Sequence, residues 1–246
     1  MKLRFADEHD ASACLAIYAQ YIDTSITFET ALPSEAEFAG RIRSYGAVYP
    51  WLVAEEDGKI LAYAYAHRAQ ERAAYDWNAE LSVYVSKDAA GMGLGTKLYR
   101  ALLDLLRKQG VRTAYGVVTM PNDASAALHR KLGFQLLGTY HNTGYKNGRW
   151  RDVVWFEKHI GSFDGVPELL HGLCRGRDLR CAMILLLLVS AAALWALSGL
   201  FLLPLPLAMA LAWVWQRLCD RGAAVSAAVP AAVLALCAVS SILFMF

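Results

Sequence analysis

Residues 89–103 read AAGMGLGTKLYRALL. Glycines at 91, 93 and 95 alternate, and an apolar pattern at helical spacing begins where they end. Glycine has no Cβ, so it reaches positive φ and lets a ligand approach the backbone closely. A helix N-terminus adds unpaired N–H groups and the positive end of a dipole. The stretch therefore reads as a turn able to hold an anion. It is not the G-x-G-x-x-G dinucleotide fingerprint, because the spacing is one residue short. Arg112 to Ala114 also stand about 20 positions on, where that fingerprint wants an acid. Nor is it a phosphate-binding P-loop, since GTK reverses the order of G-K-[ST]. A glycine-rich turn without a ligand remains the plain alternative while the loop stands alone.

Around this turn the chain alternates strand and helix signals. LRF opens as a short strand, and Asp7 offers an N-cap to a helix near 10–21. Ser34 and Glu37 form a capping box for a second helix. WLVAEEDGKILAYAYAH is two strand-like runs about Asp57-Gly58, a hairpin signal. AELSVYVS is a further strand before the turn, and the helix that follows runs near 93–109 to Gly110. TAYGVVTM is a strand. PNDASAALHRKLG is a short helix with Asp123 near its start and Gly133 at its end. FQLLGTYHNTGY and RWRDVVWFEKH flank a second hairpin at Asn147-Gly148. The order β-α-α-β-β-β-α-β-α-β-β predicts a mixed, mostly antiparallel sheet with flanking helices, not a regular βαβ repeat.

Composition divides the 246 residues in two. The net charge of +2 gives no reason to expect a nucleic-acid partner. Mean hydropathy is +0.30, and the apolar excess is concentrated after residue 180. The opening MKLRFADEHDASA lacks an apolar run, so no cleaved signal peptide is expected. Cys14, Cys174, Cys181, Cys219 and Cys237 form no CxxC pair, which fits a reducing compartment and predicts neither a disulfide framework nor a metal site.

Taken together, VYV, GMGLGTKL, and N-x-x-x-x-x-L-H-x-x-L-G-F in this order resemble the GNAT acetyltransferase superfamily. YPWLVAEEDG, AYDWNAELSVYVS, MPNDASAALHRKLGF and GYKNGRWRDVVWF sharpen the likeness to its phosphinothricin and methionine sulfone/sulfoximine N-acetyltransferase branch. The resemblance covers residues 2–160 and implies an α+β GNAT fold with acetyl-CoA as co-substrate. The pyrophosphate motif Q/R-x-x-G-x-G/A falls on Ala90, Gly91, Met92, Gly93, Leu94 and Gly95. Ala90 departs from it, which removes a side-chain contact but not the amides that run on to Thr96. Val83, Tyr84 and Val85 are implied to pair with the pantetheine on a strand splayed from its neighbour.

The resemblance also implies roles for single residues. Glu80 matches the general base in A-E-x-S/T-V-Y-V, taking a proton from the amine directly or through water. His129 stands where many members carry a tyrosine, and is implied to return a proton to the leaving thiolate. Asn122 is implied to reach the pantetheine arm or the acceptor. The implied acceptor is a small amino acid. Phe28, Tyr75 and Trp77 could line its slot, and Arg72 and Lys146 could meet its carboxylate or phosphinate. A protein N-terminus or a polyamine as acceptor, and a silent membrane-tethered acyl-CoA sensor, are the alternatives. The oligomeric state stays open, a homodimer through the acetyltransferase domain being one arrangement.

Residues 1–162 thus form the expected acetyltransferase domain, 163–180 a basic linker, and 181–246 a membrane segment of two or three transmembrane helices. Residues 181–215 and 223–246 carry no charge. A span needs about 20 apolar residues. Arg175, Arg177 and Arg180 precede the first stretch, and Arg217 and Arg221 follow it. The positive-inside rule puts both clusters in the cytoplasm, with a tight hairpin over 181–215 and a third crossing over 223–246. The alternative has two crossings and an interfacial segment between them. Both place the enzyme at the cell membrane with its catalytic domain on the cytoplasmic side.

Overall fold

The structure, a computed structural model, describes residues 1–168 and Leu170. Its strands are β1 (Lys2–Phe5), β2 (Trp51–Glu56), β3 (Lys59–Arg68), β4 (Asn78–Val85), β5 (Thr113–Thr119), β6 (Gln135–Lys146) and β7 (Arg149–His159). Its helices are α1 (Ala11–Ala19), α2 (Glu35–Val48), α3 (Leu94–Gln109) and α4 (Asp123–Lys131). Both expected hairpins form on left-handed turn residues: Asp57 and Gly58 have φ of 49° and 80°, Asn147 and Gly148 have 54° and 73°. That conformation matches the twist of the paired strands. The seven strands lie in the order β1-β2-β3-β4-β5-β7-β6. Only β4 and β5 run parallel. The mixed sheet with flanking helices agrees with the sequence reading.

Two boundaries differ from it. Asp7 caps a single 3-10 turn over Glu8–Asp10, and α1 starts only at Ala11. The delay has a cause: the Asp10 carboxylate accepts from Asp7 N at 2.9 Å and from Arg4 at 2.7 and 2.8 Å. At α4 the cap is Asn122, whose Oδ1 accepts from Ser125 N at 3.1 Å, and Asp123 is already helical. The Ser34–Glu37 box forms in both directions, at 2.7 and 3.3 Å.

Each face of the sheet has its own core. Leu94, Leu98, Leu102 and Leu106 recur every fourth residue on α3 and are buried against Ala62, Ala64, Ala66 and Ala79. The small strand residues let the helix lie close. Burial of each leucine contributes about 1.5–3 kcal/mol. On the other face Cys14 and Ile17 of α1 and Phe38 and Ile42 of α2 cover Trp51, Val53 and Tyr63.

Among the described residues no helix is long and apolar enough to cross a membrane. The expected spans and their flanking arginines, over 171–246, lie outside the described residues.

Candidate active site

The site begins where two strands part. β4 and β5 are in register from Asn78↔Thr113 to Leu81↔Gly116, and there the pairing stops. Beyond that vertex β4 continues beside β3 to Val85, and β5 continues beside β7 to Thr119. Ser86 N donates to Leu61 O at 2.8 Å, which fixes the parity of the β3–β4 ladder. The main-chain groups of Val83 and Val85 consequently turn away from β3, into the opening. Val85 O is taken by the hydroxyl of Tyr21. Val83 N–H, Val83 C=O and Val85 N–H are left to pair with a chain laid between the strands. Tyr84 is corrected: its main chain faces β3, and its ring packs on Tyr18 and Tyr63 with centroids 5.0 and 5.3 Å away.

The glycine turn closes the open end. Gly91 and Gly93 have φ of 81° and 73°, and no atom lies within 4 Å of a Cβ at either. Ala90 and Met92 are exposed between and before them, while Leu94 is buried and can offer a ligand only its amide. The first intrahelical bond of α3 is Lys97 N to Gly93 O. The amides of Leu94, Gly95 and Thr96 precede it without main-chain acceptors, and no acidic side chain stands in this turn. Gly95 has a different setting. Its Cβ would stand 3.4 Å from Leu128 and 3.8 Å from Val85, ordinary packing distance where α3 meets α4 and β4.

Glu80 and His129 approach the vertex from opposite faces. Glu80 lies one residue before it, opposite Tyr115 on β5 and His67 on β3. Burial raises its carboxyl above the ordinary range, opposed by the facing His67. His129 comes from α4 and is 2% exposed. Its ring stacks on Phe156 and meets Tyr99 and Phe134 edge-on. Nδ1 donates to Ser125 O at 2.8 Å, while Nε2 is buried without a partner and faces Gly116. Burial pushes this imidazole below its usual pKa, against the Ser125 bond. The resting ring is therefore neutral with its proton on Nδ1, and Nε2 presents a lone pair. In this tautomer Nε2 must first take up a proton before it can return one to the thiolate.

The connection between α1 and α2 bridges the opening. At its start Gln20 Oε1 accepts from Lys87 N at 2.8 Å, next to the Tyr21–Val85 bond. Further on it is fastened to β6, the third strand beyond the gap. Lys146 Nζ is buried and donates to Ile22 O, Thr27 O and Glu29 O at 2.7, 2.7 and 2.6 Å. Asn147 Nδ2 donates to Asp23 O at 2.8 Å. Phe28 lies over Gly144, where a Cβ would come within 2.3 Å of its ring. Lys146 is thus corrected as well. With all three N–H bonds spent on carbonyls, it holds the bridge and meets no substrate anion.

The expected acceptor residues separate. Arg72 and Tyr75 line one open groove of about 540 Å³ with Arg68, in the β3–β4 connection at the Glu80 end of β4. Trp77 is not among its walls. Its indole donates to Glu168 O at 2.7 Å, and its carbonyl accepts from Arg112 N at 2.8 Å. Asn122 spends its Oδ1 on the α4 cap, and its Nδ2 has no partner among the described residues.

Sequence reasoning passed over His67, Gly116, Tyr115 and Trp155. The alternation in YAYAH already sets Tyr63, Tyr65 and His67 on one face. Facing Glu80 depends on the hairpin register, and Gly116 is marked only by the ring that packs on it. Tyr115 and Trp155, with centroids 6.3 Å apart, carry the Glu80 face past the vertex. Among the described residues no cluster could hold a metal ion.

A strand pair that opens beside bare helix amides, with a half-buried carboxylate at its closed end, defines a site for a phosphate-bearing chain and a proton acceptor. A family model, the acetyltransferase (GNAT) domain, matches residues 3–155, and the chain belongs to that family. The phosphinothricin N-acetyltransferase of Streptomyces viridochromogenes is 38% identical over 159 residues, covering 64% of this chain and 87% of that protein. The L-methionine sulfoximine/L-methionine sulfone acetyltransferase of Pseudomonas paraeruginosa is 33% identical, over 67% of this chain and 98% of its own length. Among solved structures, a phosphinothricin acetyltransferase of Sinorhizobium meliloti in complex with acetyl-CoA superposes with a TM-score of 0.65 at 35% identity, over 68% of this chain and 92% of that one.

Proposed function

We propose that this chain acetylates the α-amino group of a small amino acid of the methionine sulfone, methionine sulfoximine or phosphinothricin type. The observation that carries it is the β4–β5 opening with Glu80 at its vertex, in a chain whose relatives bear those names. Acetyl-CoA supplies the activated thioester. The site fits it on three counts: unpaired edges at Val83 and Val85, uncapped amides over Leu94–Thr96, and the orphaned His129 Nε2.

Each residue then has a task. The turn amides from Gly91 to Thr96 hold the pyrophosphate. Val83 N–H donates to oxygen as charge develops there. The acceptor arrives as an ammonium with a pKa near 8, and Glu80 takes its proton. The raised basicity of Glu80 suits that task. A thiolate with a pKa of about 8.5 departs without a standing proton donor, and His129 bounds the place it occupies. Asn122 Nδ2 reaches the arm of the donor or the acceptor. Arg72 and Tyr75 receive the acceptor's carboxylate or phosphinate.

A thiol-release assay with the three amino acids, a polyamine and a peptide N-terminus tests the reading. CoA release with at least one of the amino acids supports it. Release only with the polyamine or the peptide moves the substrate. Binding of acetyl-CoA with no release at all makes the domain a sensor.

We also propose that residues 181–246 embed in the membrane and hold this domain on the cytoplasmic side. The support is their lack of charge and the flanking arginines. In the three-crossing arrangement alkaline phosphatase fused after Phe246 is active and after Arg221 inactive. The reverse pair gives two crossings.

A further inference from the structure

We propose that His67 is a positioning residue for Glu80 and the second station for the proton that leaves the acceptor amine. The inference deepens the proposed reaction and rests on Glu80 being its base. His67 and Glu80 are direct cross-strand partners. His67 Nδ1 donates to Arg68 O at 3.0 Å, so Nε2 is the ring nitrogen that faces the carboxylate. Nε2 and Oε1 are 3.7 Å apart, within ion-pair reach but longer than a hydrogen bond. Tyr45 of α2 and Tyr65 of β3 hold the ring, with centroids 5.4 and 5.9 Å away.

Groups that could compete are turned elsewhere. The Arg68 guanidinium is spent on Glu71 O and Asp76. On the paired strand β5 Tyr115 stands opposite Glu80, and Glu157 lies beyond Tyr115 in register. Tyr99 approaches from α3 but gives its hydroxyl to Leu81 O. Among the described residues, His67 is the only basic side chain within ion-pair distance of the carboxylate.

The steps balance in protons alone. An N–H bond of the ammonium breaks and an O–H bond forms on Glu80. That O–H bond breaks and Nε2–H forms, leaving a carboxylate beside an imidazolium. The His67 side chain is 25% exposed, so it releases the proton to water. Glu80, 23% exposed and next to the vertex, returns to its basic form without leaving the acceptor.

The test is the pH profile of kcat/KM for the acceptor, in the full chain and in His67→Gln, Glu80→Gln and the double variant. Opposite charge holds a carboxyl down and the two groups titrate as a pair. His67→Gln should move the acid limb up by about half a unit or more. Thermal stability and KM for acetyl-CoA should stay at wild-type values. On the Glu80→Gln background the same substitution should change nothing further. His67→Asn is read alongside and should behave as His67→Gln does. An acid limb unmoved in both variants overturns the relay, as does an equal loss with and without Glu80. Wild-type activity and limb in Glu80→Gln would overturn the base assignment instead.

Discussion

Gly116 and His129 leave no room for a methyl group between them: a Cβ on Gly116 would stand 2.0 Å from Nε2. The ring cannot retreat easily, because Phe156 and Phe134 lie with centroids 5.0 Å away and Tyr99 at 5.5 Å. Overpacking of this kind costs about 1–3 kcal/mol. Gly116→Ala should lower the unfolding midpoint and reduce kcat, since the vertex is deformed. Adding His129→Ala opens space for the new methyl. The double variant should recover part of the stability lost by the first, as a thermal-denaturation cycle would show.

The bridge over the opening depends on Lys146. Lys146→Met removes one ammonium and leaves three carbonyls without their donor. Unsatisfied buried acceptors cost about 1–3 kcal/mol each. The expected result is lower stability and a raised KM for the acceptor amine, with KM for acetyl-CoA little changed. Lys146→Arg should not restore it, because a planar fork does not fit three carbonyls converging on one atom.

Stability should follow the titration of His129. Its folded pKa lies below the ordinary value through burial. The unfolded chain therefore binds the proton more readily than the folded one. The contribution is present above about pH 6.5 and is lost as pH falls through the folded value. Denaturant titrations of wild type should weaken across that window. His129→Gln should be flatter there, with a lower plateau at neutral pH.

The glycines of the turn should separate in their behaviour. At Gly93, with φ of 73°, alanine adopts a left-handed conformation at a cost of roughly 1–2 kcal/mol. Gly93→Ala should also weaken acetyl-CoA binding in calorimetry. Gly95 lies inside α3, and its nearest neighbour to a Cβ is at 3.4 Å. Gly95→Ala gains helix propensity of about 1 kcal/mol and should hold or raise stability.

Much of this was written in local signals. Capping boxes, left-handed hairpin pairs and the leucines of α3 act over a few residues, so Ser34, Asn147 and Leu98 announced their elements. Glu80 and the glycine turn were legible as a motif. What was not legible depends on register and on meeting across the sheet. Lys146 looked like an anion-binding cation because nothing near it in sequence shows three carbonyls from 22–29. Trp77 looked like a pocket wall until its indole found Glu168. The neutral resting state of His129 was not legible, because its burial comes from Tyr99, Phe134 and Phe156 on three other segments.

The central claim is that Glu80, at the closed end of the β4–β5 opening, takes the amine's proton. The direct measurement is kcat/KM of Glu80→Gln for the amino-acid acceptor, with acetyl-CoA affinity measured on the same protein. Loss of a general base costs about 10²–10⁴-fold. A drop in that range with acetyl-CoA affinity unchanged is the expected result. A drop below about tenfold would place the base elsewhere and contradict the account.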